Sequence, residues 1–337
     1  MRMRAWRETI GEIFRKKQDT LISIVGLVLA FIFVPIVWLK ILLSVFVAYS
    51  LFKIWEGVHV LQKEKHVPLA VVVFGHQGER DSFVDDCLSQ MDRWHFDEAT
   101  FSGLGVDRDD WLISRPGDLP ADPSQWASLV QEFADRIYHI RAKLKGPEFL
   151  HVFLKCRTAL VFGLGAKTGT WNNVTIHQEA PGEFKPVIYL DGKVELTDHH
   201  DPHTMKSRVE PPYKFIEATI PDKLSTPTLV SLHLSAHSPR PSVEEEARRR
   251  GLSCVLIENT YNNTLTTKDW FHPAQETASV LLQLLEHSRE LEIYQNCPNA
   301  IAFAIGMALG DQCTATIFHW FPKENAYKPV LKLNELG

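Results

Sequence analysis

Two stretches of the chain decide its fold: FLKCRTALVFGLGAKTGTWNNVTIHQ at 153–178 and YQNCPNAIAFAIGMALGDQCTATIFH at 294–319. Shifted by 141 residues they superpose without a gap. Cys156 meets Cys297, Ala159 meets Ala300, Phe162 meets Phe303, Gly165 meets Gly306, Gly169 meets Gly310, Thr175 meets Thr316 and Ile176 meets Ile317. Leu160 and Leu164 meet Ile301 and Ile305. Further on, FKPVIYL at 184–190 resembles YKPVLKL at 327–333, now offset by 143, so two residues were gained between the blocks. Self-similarity at a fixed spacing marks a duplicated structural unit. Each block reads as strand, short helix, strand. Small and apolar residues such as Ala159, Leu160 and Gly165 are expected to let the helix lie close on the sheet, and Gly169 and Gly310 suit the helix C-terminus, where φ is often positive.

Outward from these blocks, LAVVVFGH at 69–76 and LVSLHLSA at 229–236 read as buried strands, short Val/Leu-rich runs that end at turn residues. The segments 123–145 and 274–289 read as amphipathic helices. Strand alternating with helix predicts a parallel sheet covered on its faces. The expected fold class is therefore α/β, with tandem duplicated halves at about 68–190 and 228–333. The polar, Pro-rich connection 191–227 contains Asp198, His199, His200, Asp201 and His203. No ligand geometry follows from that order, and the segment is read as a solvated loop; no metal is expected.

The N-terminal region is of another kind. Residues 20–52 run TLISIVGLVLAFIFVPIVWLKILLSVFVAYSLF with Lys40 as the single charge. The run is too long for a signal-peptide core and too apolar for a soluble helix. As one helix, its 33 residues would reach about 50 Å, against a hydrocarbon core of about 30 Å. Pro35, Trp38 and Lys40 at the midpoint are what a reverse turn at an interface uses. Arg2, Arg4, Arg7, Arg15, Lys16 and Lys17 precede the run, and Lys53, Lys63 and Lys65 follow it. Basic residues on both flanks place both in the cytoplasm. The expectation is a basic cytoplasmic N-terminus over 1–19, an all-α two-span hairpin over 20–56 and a cytoplasmic domain over 58–337.

Charge narrows the partners. Residues 1–66 carry ten Lys/Arg against five Asp/Glu, whereas the whole chain sits at −5, leaving −10 for residues 67–337. So acidic a domain would repel a nucleic-acid backbone, and long DNA or RNA is excluded as a partner. An anionic ligand must be small and locally held. The five cysteines form no CxxC pair and read as reduced, buried thiols.

In α/β sheets ligands bind beyond the carboxyl ends of the strands. The candidate ligand residues follow from that rule. His76 and Gln77, with Ser235 and His237, come after the first strand of each half. Lys155, Arg157 and Thr158, with Asn296 and Asn299, precede the repeated helices. Thr158 and Asn299 are read as N-caps, beside helix ends suited to phosphate. Lys155 and Arg157 give positive charge to one half only, so a symmetric ligand pose is not expected. No GxSxG, HExxH or P-loop is present, and GxGxxG fails at Thr168. No catalytic residue is assigned.

The stretch EIYQNCPNAIAFAIGMALGDQCTATIFHWFPKENAYKPVLKLNEL at 292–336 resembles the C-terminal signature of SAVED domains: a strand, an Ala-rich helix with a central Gly, a strand, then a Tyr-x-Pro strand. The resemblance covers about 68–337 and implies a fused pair of CARF-like Rossmann units. It implies a receptor in cyclic-oligonucleotide anti-phage defence (CBASS), without catalysis of its own or a cofactor. The implied ligand is a cyclic oligonucleotide made by a partner CD-NTase synthase, a trinucleotide in preference to a di- or tetranucleotide, with adenine as the expected base. The hairpin stands where the two-transmembrane members of the family carry their effector module. That implies a multi-pass protein of the bacterial inner membrane, which contacts lipid, forms a homo-oligomer on ligand binding and disrupts the membrane. The residues themselves leave two alternatives open: a membrane-tethered hydrolase acting on a cyclic nucleotide, and a non-catalytic membrane scaffold.

Overall fold

In a computed structural model, residues 44–52, 65–94, 96–144, 148–169, 173–180, 183–190, 208–260 and 269–336 are described. The predicted hairpin lies outside them except for 44–52, which is helical, and the loop from Asp198 to His203 lies outside them altogether. Among the described residues no helix is long and apolar enough to cross a membrane. The chain divides into two units, residues 65–144 with 148–337 forming the larger.

The larger unit is a mixed α/β structure with two sheets. The first half runs β1 (Lys65–Phe74), α1 (Gln77–Met91), the short helices α2 (Glu98–Gly103) and α3 (Arg108–Trp111), β2 (Leu112–Pro116), α4 (Pro123–Leu144), β3 (Glu148–Lys155), α5 (Thr158–Thr168), β4 (Val174–Ala180) and β5 (Glu183–Leu190). After β6 (Ile216–Thr219), the second half runs β7 (Thr228–His233), α6 (Arg240–Arg250), β8 (Cys254–Asn259), α7 (Phe271–Ser288), β9 (Leu291–Asn296), α8 (Asn299–Leu309), β10 (Ala315–Phe321) and β11 (Ala326–Lys332). The strand orders are β2-β1-β3-β4-β5 and β11-β10-β9-β7-β8-β6. Read from β2 and from β8 they are one topology: four parallel strands closed by an antiparallel one, with β6 added at the β8 edge.

The repeat reaches into fine detail. The β4–β5 ladder slips between Ile176 and His177, and the β10–β11 ladder slips between Ile317 and Phe318, the same place 141 residues on. The two extra residues of the second copy fall in the hairpin, which joins Ala180 to Glu183 in the first half and Phe321 to Ala326 in the second.

Apolar spacing sets the layers. Helix α4 buries Trp126, Leu129, Val130, Phe133, Ile137, Ile140 and Leu144, steps of three and four that make one stripe. Helices α5 and α8 have no polar face: α5 buries every residue from Ala159 to Ala166, and α8 every residue from Ala300 to Met307. A helix that is apolar all round belongs inside, and these two pack on each other at the centre. Helix α5 touches β9, β10 and β11 of the second sheet, while α8 touches β4 of the first. Glycine permits the approach. A Cβ built on Gly165 would stand 2.1 Å from the Phe303 carbonyl oxygen, and one on Gly306 would stand 2.2 Å from that of Phe162. Because Phe162 and Phe303 are themselves repeat-related, the crossing is reciprocal, as a pseudo-twofold axis requires.

Candidate functional site

The pseudo-twofold axis emerges at the carboxyl ends of the parallel strands. There Thr158 Oγ1 and Asn299 Oδ1, which are repeat-related, are 3.0 Å apart. Asn299 Nδ2 donates to the carbonyls of Leu154 at 3.2 Å and Cys156 at 3.1 Å. This corrects the expectation that Thr158 and Asn299 cap their helices. The caps are Arg157 and Pro298, neither with a side-chain cap hydrogen bond. Thr158 and Asn299 stand one position further in, where the nearest polar partner is across the axis.

Two cavities flank this contact. The one in the second half, about 590 Å³, is floored by Gln295 and Asn296 at the end of β9 and walled by His319, Trp320 and Tyr327 of the β10–β11 hairpin. His237, Ser238 and Ser242 close one side, and Cys156, Arg157 and Thr158 bring in the start of α5. The one in the first half, about 420 Å³, lies beyond β1, β2 and β3, lined by Gly75, Asp118, Lys155, Cys156, Arg157, Glu179 and Asn299 among others. Cys156 and Arg157 border both. Each cavity thus combines strand ends of one half with a helix N-terminus of the other.

The two helix N-termini are treated differently. Gln178 Oε1 accepts from the Ala300 backbone N–H at 3.1 Å, so a side chain already occupies the start of α8. The repeat partner of Gln178 is His319, which instead packs on Trp126 and Phe321, with ring centroids 5.4 and 5.0 Å away. The start of α5 therefore opens on the second-half cavity. Burial, with the nearby Arg157 guanidinium, holds His319 down to about 4, so the ring is neutral at pH 7. Burial pushes the partly buried Cys156 up to about 12, which keeps it a thiol.

The charged side chains are paired. Arg157 grips Asp118 with both arms, Nε to Oδ1 at 3.0 Å and Nη2 to Oδ2 at 2.6 Å. That bond holds the Asp118 carboxyl below its ordinary range. Lys155 Nζ is 3.1 Å from Glu179 and 4.0 Å from Glu79. Among the described residues no group of His, Cys, Asp and Glu is arranged to hold a metal.

Of the residues expected from sequence, Lys155, Arg157, Thr158, His237, Asn296 and Asn299 line the cavities, whereas His76, Gln77 and Ser235 line neither. The strand β1 ends at Phe74, and the chain turns away at once. His76 caps α1 by accepting from the Glu79 N–H at 3.2 Å, and Gln77 bonds Asp81. Asp118, Glu179, His319, Trp320 and Tyr327 were missed. The signal existed for three of them: the 141-residue shift lays His319 and Trp320 on Gln178 and Glu179, at matching strand ends.

No family model matches the chain, and no curated protein matches it either. Among solved structures, the fold is shared with SAVED/CARF-domain receptors. The Acinetobacter baumannii Cap4 receptor with the cyclic trinucleotide 3'3'3'-cAAA aligns over 86% of this chain and 56% of its own, at 14% identity and a TM-score of 0.50. The same receptor with 2'3'3'-cAAA aligns with the same coverage and identity at 0.49. The chain thus spans little more than half the length of the receptors it matches.

Proposed function

We propose that the chain is a membrane-anchored SAVED-type receptor that binds a cyclic oligonucleotide, a trinucleotide first of all, in the cleft between its two halves. The observation that carries this reading is the cleft itself, on a fold shared with a receptor whose structure holds cyclic tri-adenylate. Two helix starts and two sets of strand ends converge there, and the uncapped start of α5 offers backbone N–H groups to a phosphate. Trp320, Tyr327 and His319 supply ring faces on which a base can stack. The bound nucleotide is sensed and not consumed.

The same proposal includes the anchor. Residues 44–52 are helical and expose Val45, Phe46, Tyr49, Leu51 and Phe52, an outward apolar surface of the sort that lipid covers. With both flanks of the hairpin cytoplasmic, a partner synthase in the cytoplasm supplies the ligand. The two halves have non-identical outer faces, and head-to-tail contact between them gives open assemblies that gather hairpins and disrupt the membrane. Ligand drives assembly by binding the assembling conformation more tightly.

A thermal-shift screen of the detergent-solubilised protein against cyclic di-, tri- and tetranucleotides tests the reading. At 100 times its dissociation constant the right ligand stabilises the fold by about 2.7 kcal/mol. Recovery of intact nucleotide and ligand-dependent dye release from vesicles are expected with it. Hydrolysed nucleotide would instead establish the enzyme, and no shift with any ring would remove the receptor.

A further inference from the structure

The two cavities differ in charge. In the first-half cavity both cations face carboxylates: Lys155 meets Glu179 at 3.1 Å, and Arg157 meets Asp118 through two parallel hydrogen bonds. The second-half cavity has no carboxylate in its lining among the described residues, yet it borrows Arg157 from the shared wall. Asp118 holds the Nε–Nη2 edge of the guanidinium and offsets its charge, which leaves only the Nη1 side unshared. A ligand phosphate at the start of α5 therefore competes with Asp118 for that edge and for the charge of Arg157.

Asp118 is placed to compete. It follows Gly117, whose φ of +80 turns the chain sharply after β2, and whose N–H is tied to the Phe74 carbonyl at 2.8 Å. The Leu119 N–H donates to Asp118 Oδ1 at 3.0 Å, which orients the carboxylate before Arg157 arrives. The Arg157 and Asp118 side chains are 44% and 62% exposed, so the pair is open to exchange and not locked in the core.

We infer that Asp118 is a competing carboxylate that occupies Arg157 in the empty receptor and sets how strongly an anionic ligand must bind to displace it; Glu179 does the same for Lys155. This rests on the proposed binding of an anionic nucleotide in the cleft. Its consequence is selectivity: a ligand presenting several phosphates replaces both carboxylates, whereas a single phosphate group gains little from evicting one.

The test is calorimetric titration of the detergent-solubilised full chain with cyclic tri-adenylate and, separately, with inorganic pyrophosphate as a probe of charge alone. Wild type, Asp118→Asn, Arg157→Ala and the double variant are compared, with circular dichroism as a check of folding. Releasing an exposed ion pair is worth roughly a twofold to fivefold gain in affinity, so Asp118→Asn should bind both probes that much tighter. In the Arg157→Ala background the same substitution should gain less than about twofold, because no guanidinium is left to release. A folded Asp118→Asn that binds no tighter overturns the inference, as does a gain that persists undiminished without Arg157. Tighter pyrophosphate binding by Asp118→Asn, with no cyclic trinucleotide bound by any variant, would uphold the competition and remove the functional reading alone.

Discussion

Replacing Gly165 by alanine sets two effects of opposite sign against each other. In an isolated helix the change is favourable by about 1 kcal/mol, because alanine loses less backbone freedom. At the crossing of α5 and α8, however, the new methyl carbon would sit 2.1 Å from the Phe303 carbonyl oxygen, 2.9 Å from its carbonyl carbon and 3.0 Å from the Met307 nitrogen. All three are backbone atoms, so no rotamer relieves the overlap; the helices must separate by roughly an ångström. A gap of that size forfeits a quarter to a half of each dispersion contact along the seam, within the usual overpacking cost of about 1–3 kcal/mol. Because backbone and not side chain must move, the clash falls in the upper part of that range, about 2–3 kcal/mol, so net of propensity Gly165→Ala should destabilise by about 1–2 kcal/mol, or lower the melting temperature by about 2–8 °C. Gly306→Ala should do the same, for the reciprocal reason. The double variant should cost less than the two together, since one separation serves both. Gly163→Ala should cost less, because its new methyl meets the side-chain ends of Val130 and Leu331, which can move. Differential scanning fluorimetry of the full chain reads all four. A Gly165→Ala variant as stable as its parent, or more so, would refute the close crossing.

Further outcomes follow from the same structure. Burial holds His151 down to about 2 and His177 down to about 3, with their ring nitrogens 3.0 Å apart. An unfolded histidine titrates near 6.5, so the unfolded chain takes up protons that the folded one refuses. Stability should be whole above about pH 6.5 and fall as pH drops toward 3, by up to about 2.7 kcal/mol per unit for the pair. His177→Phe, which keeps the stack on Phe153, should make that slope shallower by about 1.4 kcal/mol per unit, read from urea midpoints; an unchanged slope would count against it. Glu276 is buried and accepts the backbone N–H groups of Lys214, Phe215 and Ile216 at 3.0, 2.8 and 3.2 Å. Glu276→Ala should cost about 2–3 kcal/mol and speed hydrogen exchange at those three amides, whereas uniform exchange would contradict this role. The basic flanks of residues 20–52, a feature of the sequence, set one more outcome for the proposed anchor: reporters fused to either end of the full chain should both lie on the cytoplasmic side, and one inserted beside Lys40 on the other; opposite locations for the two ends would end the hairpin.

What the sequence shows of the fold is mostly what repetition makes visible. The 141-residue shift finds α5, α8 and the strands around them, because close packing at the axis demands small residues at the same places twice. It cannot show β6, which has no counterpart among the described residues of the first half and is held by Glu276 on a distant helix. The site was partly legible for the same reason. Strand-end residues such as Lys155 and Asn296 follow from the α/β pattern alone. Thr158 and Asn299 were found but misread, since their bond to each other exists only once the halves meet. Asp118 lies in a loop without periodicity, and nothing local ties it to Arg157, which is 39 residues away. His76 looks like the twin of His237, and register confirms that: Val72 pairs with Lys155 as His233 pairs with Asn296. Yet Glu79, two residues past Gln77, draws His76 into capping α1, and the twin positions diverge.

The proposed receptor holds one anionic ring nucleotide where its two halves meet. Calorimetric titration of the solubilised full chain with cyclic tri-adenylate, and with its linear counterpart, measures this. One cyclic ligand should bind per chain. Arg157→Ala should weaken binding about tenfold or more, as befits a charge-assisted contact of about 1.5–3 kcal/mol. Trp320→Ala should weaken it comparably, at about 1–3 kcal/mol for a lost stacking face. No binding, or binding that neither substitution at this cleft alters in a folded protein, would contradict it.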